Sequence, residues 1–174
     1  MPKIVSGRFK GHRLKAYNLS SLRPTLSRVK ETIFNKLSSV EGYRVVDLFA
    51  GCGNLGFEAI SRGAEHCIFV DKSKRAIRII SENAEALGIA DMVELRCMDV
   101  MRFLETNFKA DLILADPPYN YDKFDSLMKA LASLHNQCKI VLECGKDTEI
   151  PIPEGLELTD KARIGDTIVY FFEL

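Results

Sequence analysis

Val45-Val46-Asp47-Leu48-Phe49-Ala50-Gly51-Cys52-Gly53-Asn54-Leu55-Gly56 runs from an apolar, β-branched segment straight into a glycine-rich loop. In a Gly-x-Gly-x-x-Gly loop after a strand, the early glycines permit a tight turn and close approach of the backbone to a ligand. The last lets the following helix pack on the strand. Alone the pattern is weak, because glycines also punctuate ordinary turns. Its surroundings strengthen it: a helical pattern follows, and Asp71 ends the next strand twenty residues past Gly51, where a carboxylate can bind both hydroxyls of a ribose. The plain alternative for Asp71 is a helix cap or a surface carboxylate.

The alternation continues on both sides of this stretch. Strands are expected over 43–49, 66–70, 92–96, 111–115 and 138–143, with helical segments at 54–62, 99–107 and 122–135 between them. The clearest helix is capped by Ser73, carries the apolar stripe Ala76, Ile77, Ile80, Ala84 and Leu87, and stops at Gly88. An earlier helix has Ser27 as its cap and Val29, Ile33 and Leu37 at helical spacing. The tail departs from the alternation: 156–164, a Gly165-Asp166 turn and 167–172 read as an antiparallel hairpin. Residues 3–15, with Gly7 and Gly11, suit a small hairpin outside the main sheet. The expected fold is α/β, a mostly parallel seven-stranded sheet with helices on both faces. A basic arm, 1–22, would precede a single domain, 23–174. Ligands of such sheets bind at the carboxyl ends of the strands.

Composition bounds the function classes. A chain of 174 residues, 47% hydrophobic, can bury one substantial core. It has no run of the roughly 18 apolar residues that a membrane span needs and no signal-peptide pattern. Cys52, Cys67, Cys97, Cys138 and Cys144 are odd in number and form no Cys-x-x-Cys pair, so a reduced, cytoplasmic protein without a disulfide framework or zinc site is expected. His12, His66 and His135 have no metal-ligand or triad spacing. The formal charge of zero hides an asymmetry: residues 1–36 hold nine Lys/Arg against Glu31 alone, a formal +8 balanced by −8 in the rest. Such a split fits a basic face that meets a polyanion, or simply a solvated basic surface.

Which nucleotide the loop would bind is decided by its acids. Dinucleotide enzymes place a pyrophosphate over the helix N-terminus. Here Asp47 stands just before the loop, which disfavours phosphate and suits a cationic amino-acid group. Asp99 ends Arg96-Cys97-Met98-Asp99 and can accept a hydrogen bond from an adenine amine, with Met98 or Val100 against the ring; equally, it can cap the helix that follows. S-adenosylmethionine has the ribose, the adenine and the charged methionine end that these positions require.

Asp116-Pro117-Pro118-Tyr119 closes the apolar run Leu112-Ile113-Leu114-Ala115. A nucleobase amine is a poor nucleophile because its lone pair is delocalised into the ring. The Asp116 carboxylate and the Pro117 carbonyl can each accept an N–H, favouring a tetrahedral nitrogen and aiming its lone pair. Proline's fixed φ holds that carbonyl, and Tyr119 offers a stacking face, typically worth about 1–3 kcal/mol per base.

These motifs together resemble the Rossmann-like S-adenosylmethionine-dependent methyltransferases. Ser6-Gly7-Arg8-Phe9-Lys10-Gly11, Arg23-Pro24-Thr25, Arg28 to Asn35 and Asp47 to Gly63 further resemble the RsmD family, nearly end to end. The resemblance implies methylation of the exocyclic N2 of a guanine in 16S ribosomal RNA, on naked RNA or within an assembled small subunit. It implies Asp116, Pro117 and Tyr119 as catalytic residues. Cofactor binding would fall to Asp47, Phe49, Gly51, Gly53, Asp71, Lys72, Met98, Asp99 and Asp116. Substrate contact would fall to Arg8, Lys10, Arg13, Arg23, Arg28 and Tyr119, with no metal. Cys52 and Asn54 depart from the smaller residues common in that loop. Two rival functions remain: an adenine-N6 methyltransferase, since Asp-Pro-Pro-Tyr serves any exocyclic amine, and a non-catalytic RNA-binding assembly factor.

Overall fold

A computed structural model describes residues 1–17, 25–135 and 137–174. The β-branched runs form five parallel strands: β1 (Arg44–Leu48), β2 (His66–Asp71), β3 (Val93–Cys97), β4 (Leu112–Ala115) and β5 (Lys139–Gly145). β6 (Glu157–Ile164) and β7 (Thr167–Glu173) add an antiparallel hairpin through β7 against β5. The order is β3-β2-β1-β4-β5-β7-β6. From β1 the chain builds outward through β2 to β3, then returns to β1's other side for β4. That reversal opens a crevice at the carboxyl ends of β1 and β4, where such sheets bind ligands. Register pairs Leu48 with Ala115, so Phe49 and Asp116 leave the sheet side by side.

Strand alternation separates two cores. Val45, Phe69, Leu112, Leu114 and Val141 pack with α1 (Thr25–Leu37), α2 (Asn54–Ser61) and α3 (Lys74–Leu87). Val46, Leu48, Ile113, Ile140 and Leu142 pack with α4 (Val100–Leu104) and α5 (Phe124–Ala132) on the other face. Fully buried strands read as continuous apolar runs for this reason. The Ser73 cap forms as expected, accepting from the Ala76 amide at 3.3 Å, and Gly88 ends α3 at φ 67°. Ser27, by contrast, is not a cap: α1 begins at Thr25, so Ser27 lies within its first turn.

The N-terminal hairpin narrows to one bridge, Lys3 with Arg13, flanked by Ile4 N–H to His12 C=O at 3.0 Å and Leu14 N–H to Pro2 C=O at 2.8 Å. It is anchored rather than loose, because Ile4, Phe9 and Leu14 join the core under α1 and α2. Glu58 of α2 accepts the amides of Val5 (2.9 Å) and Ser6 (3.0 Å), and the Ser61 hydroxyl accepts that of Phe9 (2.9 Å). Gly7 crosses α2 at φ 80°, so close that a Cβ would sit 1.8 Å from the Ser61 carbonyl oxygen; only glycine passes there.

Candidate active site

The glycine loop divides its labour by position. A Cβ on Gly51 would meet only the Phe49 carbonyl oxygen, at 3.9 Å, so the backbone there faces open space that a ligand can use. A Cβ on Gly53 would lie 2.5 Å from the Phe57 ring, and one on Gly56 2.3 Å from the Phe69 ring. Those two glycines let α2 sit directly on β2. Gly51 and Gly53 both take positive φ, 59° and 81°. Phe49 does too, at φ 60°, an uncommon conformation for a bulky residue and a local strain at the crevice. Its ring is held edge-on by Tyr121, with centroids 5.1 Å apart.

The acids at the strand ends are bonded in different ways. Asp71 closes β2 and accepts the Gly51 amide on Oδ2 (2.9 Å) and the Ser73 amide on Oδ1 (2.8 Å), tying the loop to the second strand. A carboxylate has about four lone-pair sites, so acceptor capacity for hydroxyls remains. Met98 follows β3, and its amide donates to the Asp71 carbonyl at 3.1 Å. Asp99 accepts the amides of Met101 (2.9 Å) and Arg102 (3.4 Å) through Oδ1, so the capping role is realised. Lys72 is exposed beside Asp71.

Under the crevice lies a cavity of about 30 Å³, bordered by Asp47, Asp116, Glu143, Lys30, Phe49 and Asn54. Asp47 is buried, and its Oδ2 accepts the Gly56 amide at 2.9 Å; burial still pushes its carboxyl well above the usual range. Glu143 is shifted upward in the same way, first by burial and then by the charges of Asp116 and Asp47. Solvent reaches Asp116 from the crevice, yet the protein around its other sides raises its carboxyl to about 6. Pro117 is buried, and Tyr119 stands almost entirely in solvent at 95% exposure, free to receive a ring. The Cys52 thiol is raised to about 11 by burial, which leaves little thiolate for nucleophilic chemistry near neutral pH.

Lys30 counts with the basic surface by charge alone, yet it is 2% exposed and belongs to the interior. Its ammonium donates to the Lys3 carbonyl (2.6 Å) and Asn54 Oδ1 (2.9 Å) and pairs with Glu58 at 3.2 Å. Asn54 thereby acquires a structural reason. Arg8, Lys10, Arg13 and Arg28 are exposed and make no ion pair among the described residues, but none borders the cavity. Arg23 lies outside the described residues. Lys30, Glu58 and Glu143 are the site-forming residues that sequence reading missed or left unassigned. An acid and a lysine at apolar stripe positions were the available signal.

A sheet reversed beside β1, a glycine loop with open backbone, an acid ending β2 and Asp-Pro-Pro-Tyr after β4 define the class: a Rossmann-like methyltransferase. The family model described as "Conserved hypothetical protein 95" matches residues 2–173. The Bacillus subtilis protein named "Putative rRNA methyltransferase YlbH" is 38% identical, over 98% of each chain. Ribosomal RNA small subunit methyltransferase D of Haemophilus influenzae is 29% identical over 94% of this chain and 89% of its own. Among solved structures, the Escherichia coli protein titled "Putative methyltransferase yhhF" superposes with a TM-score of 0.87 at 22% identity, over 98% and 96% of the two chains. The chain belongs to this family, the RsmD family of methyltransferases.

Proposed function

We propose that this protein transfers a methyl group from S-adenosylmethionine to the exocyclic N2 of a guanine in 16S ribosomal RNA, in the cytoplasm. Methylation of ribosomal RNA follows from the family; the observation that carries the choice of an exocyclic amine is Asp116-Pro117-Pro118-Tyr119 at the crevice, with a solvent-reached carboxyl and a bare tyrosine ring. S-adenosylmethionine supplies an electrophilic methyl on a sulfonium. Its methionine end fits beside Asp47, Phe49 and the open backbone of Gly51, its ribose at Asp71, and its adenine near Lys72, Met98 and Asp99, with Gly53 holding the loop. Asp116 and the Pro117 carbonyl accept the two amine hydrogens and point the nitrogen lone pair towards the methyl, while Tyr119 stacks the base; the proton shed by the methylated nitrogen leaves to solvent at the crevice, directly or by way of Asp116. Positioning matters most, because the reaction moves charge off the sulfonium. N2 over adenine N6 rests on the family resemblance. The deciding experiment incubates the protein with methyl-labelled S-adenosylmethionine and naked 16S RNA, undermethylated small subunits or duplex DNA, then identifies the labelled nucleoside. N2-methylguanosine from RNA is expected; label in N6-methyladenine would transfer the assignment to the rival activity.

The segment 1–22 acts as a basic arm on the catalytic domain 23–174, with Arg8, Lys10, Arg13, Arg23 and Arg28 meeting RNA phosphates. Replacing Arg8, Lys10 and Arg13 by glutamine should lower the slope of log affinity against log salt by about 0.7–0.9 for each phosphate left without its cation. An unchanged slope in a salt titration of RNA binding would remove the arm from the interface. For the cofactor, Asp71→Ala should weaken S-adenosylmethionine about tenfold or more, since ribose acceptors and the Gly51 tether go together. Calorimetry showing wild-type affinity would take Asp71 off the ribose.

A further inference from the structure

Asn83 is a polar side chain on the apolar stripe of α3, beyond Ala76 and Ile80, and it is 2% exposed. Burying an amide there is costly unless its polar atoms find partners. They do. Oδ1 accepts the Lys15 amide at 2.8 Å, and Nδ2 donates to the Lys15 carbonyl at 3.1 Å and the Cys52 carbonyl at 3.2 Å. One side chain therefore holds both backbone groups of Lys15, as a neighbouring strand would, and turns its other N–H to the glycine loop. The Cys52 carbonyl it holds lies next to Gly51, whose backbone is open to a ligand.

Lys30 makes the matching connection from α1. Its ammonium donates to the Lys3 carbonyl at 2.6 Å and to Asn54 Oδ1 at 2.9 Å. Lys3 and Lys15 bracket the segment that carries Arg8, Lys10 and Arg13, and Cys52 and Asn54 flank Gly53 in the loop. Two buried polar side chains, from two helices, thus each bridge one leg of the arm to one side of the loop. Anchoring alone requires neither bridge. Ile4, Phe9 and Leu14 already bury the arm, while Glu58 and Ser61 accept the Val5, Ser6 and Phe9 amides. What the bridges add is register: a satisfied polar network in an apolar interior specifies one arrangement, where aliphatic packing tolerates several.

We propose that Asn83, together with Lys30, is a positioning residue that couples the basic arm to the cofactor loop, so that RNA and S-adenosylmethionine each tighten the binding of the other. This rests on the methyltransferase reading above, with the arm on RNA. A nucleoside seated at Gly51 fixes the neighbouring Cys52 carbonyl, which keeps the Asn83 amide in line for Lys15. RNA phosphates on Arg8, Lys10 and Arg13 fix the arm, which holds the same amide from its other end. The first ligand to bind bears the cost of ordering the bridge, and the second finds it ordered. Both effects are one free energy, so the coupling is reciprocal. The protein therefore keeps its methyl donor best while the arm is on RNA, and releases the spent nucleoside more readily once RNA has left.

S-adenosylhomocysteine and 16S RNA, naked or in undermethylated small subunits, are the probes, because this pair binds without turnover. Dissociation constants for each ligand, alone and with the other saturating, close a cycle. In wild type both should tighten by the same factor, about fivefold or more. Asn83→Leu keeps the size but breaks both ties. Each ligand alone should still bind within about threefold of wild type, while the coupling factor falls below about twofold. A wild-type factor below about twofold overturns the inference and leaves the methyltransferase reading standing. So does an Asn83→Leu protein that melts lower yet keeps the wild-type factor, the mark of a structural residue. If the variant does not fold, hydrogen exchange in wild type decides. S-adenosylhomocysteine alone should slow the Lys15 amide at least about fivefold more than the Gly42 amide, which bonds to Gly63 before the amino end of β1. Equal slowing of the two amides overturns the inference. A wild-type protein that binds neither probe overturns the methyltransferase reading as well.

Discussion

Asp116→Asn is expected to lower the methyl-transfer rate constant by about 10²–10³-fold, the usual cost of removing one preorganised polar group aimed at a reacting centre, while S-adenosylmethionine still binds. The asparagine keeps the size, the strand-end geometry and one neutral carbonyl acceptor, but loses the negative charge that strengthens the bond to the amine N–H as positive charge develops on the nitrogen. Single-turnover methylation of RNA and calorimetry of the cofactor read the two effects separately, and wild-type turnover in the variant would sink the mechanism. The pH dependence gives a second reading. Asp116 is raised to about 6, so its accepting form fills as pH rises through that value. Activity should climb from pH 5 to 7 and level above, if the carboxylate is the working form; Asp116→Asn should lose that limb. Stability runs the other way. An acid whose folded pKa exceeds its unfolded value of about 3.9 destabilises the fold progressively as pH rises between the two. The asparagine variant should therefore melt no lower than wild type above pH 6, which separates a catalytic loss from a folding loss.

The parts of this site that were legible in the sequence are those whose chemistry is local. Gly51, Gly53 and Gly56 are required by backbone angles and by the closeness of α2 to β2, and both constraints act within a few residues. Asp71 and Asp116 are legible because a strand ends where its apolar run ends. The mostly parallel sheet and its closing antiparallel hairpin follow from the alternation and from the tail's turn, whose Gly165 takes φ 62°. What stayed hidden is long-range. Glu58 meets Val5 and Ser6 across more than fifty residues, and nothing in the neighbourhood of either tells of the other. Lys30 looks like surface charge because a lysine's burial depends on partners that only the fold supplies. Ser27 fails as a cap because the helix already runs at Thr25, two residues before it, and helix boundaries are the least legible part of a periodic pattern. Asp99 shows the converse: two roles were open, and its capping bonds realise one without excluding the other, since a carboxylate has acceptors to spare.

The largest effect on stability is expected at Glu58. Its carboxylate is fully buried and gathers four partners from three elements: the Val5 and Ser6 amides of the arm, Lys30 of α1 at 3.2 Å, and Arg62 beyond its own helix at 2.8 Å. Glu58→Ala leaves the Lys30 ammonium with no anion, 2% exposed and already held below its ordinary pKa by desolvation. Breaking a buried pair by removing one member typically costs about 3–5 kcal/mol, and each amide left unsatisfied adds about 1–3 kcal/mol unless water reaches it. The arm offers the relief: by lifting off α2 it would return Val5 and Ser6 to solvent, at the expense of the burial of Ile4 and Phe9. Denaturant unfolding should then show a loss of at least about 3 kcal/mol, together with early protease cleavage within residues 3–15. A double variant, Lys30→Met with Glu58→Met, tells which bonds matter. Replacing both charges by apolar groups is often nearly neutral, so stability should recover in part, but the two arm amides still lack acceptors and the protease sensitivity should persist. A loss below about 1 kcal/mol in Glu58→Ala would mean the arm is held by Ile4, Phe9 and Leu14 alone. If instead the arm comes free, RNA methylation should fall further than S-adenosylmethionine binding does. Asp47 and the glycine loop belong to β1 and α2, whereas Arg8, Lys10 and Arg13 are placed only by the segment that Glu58 holds down.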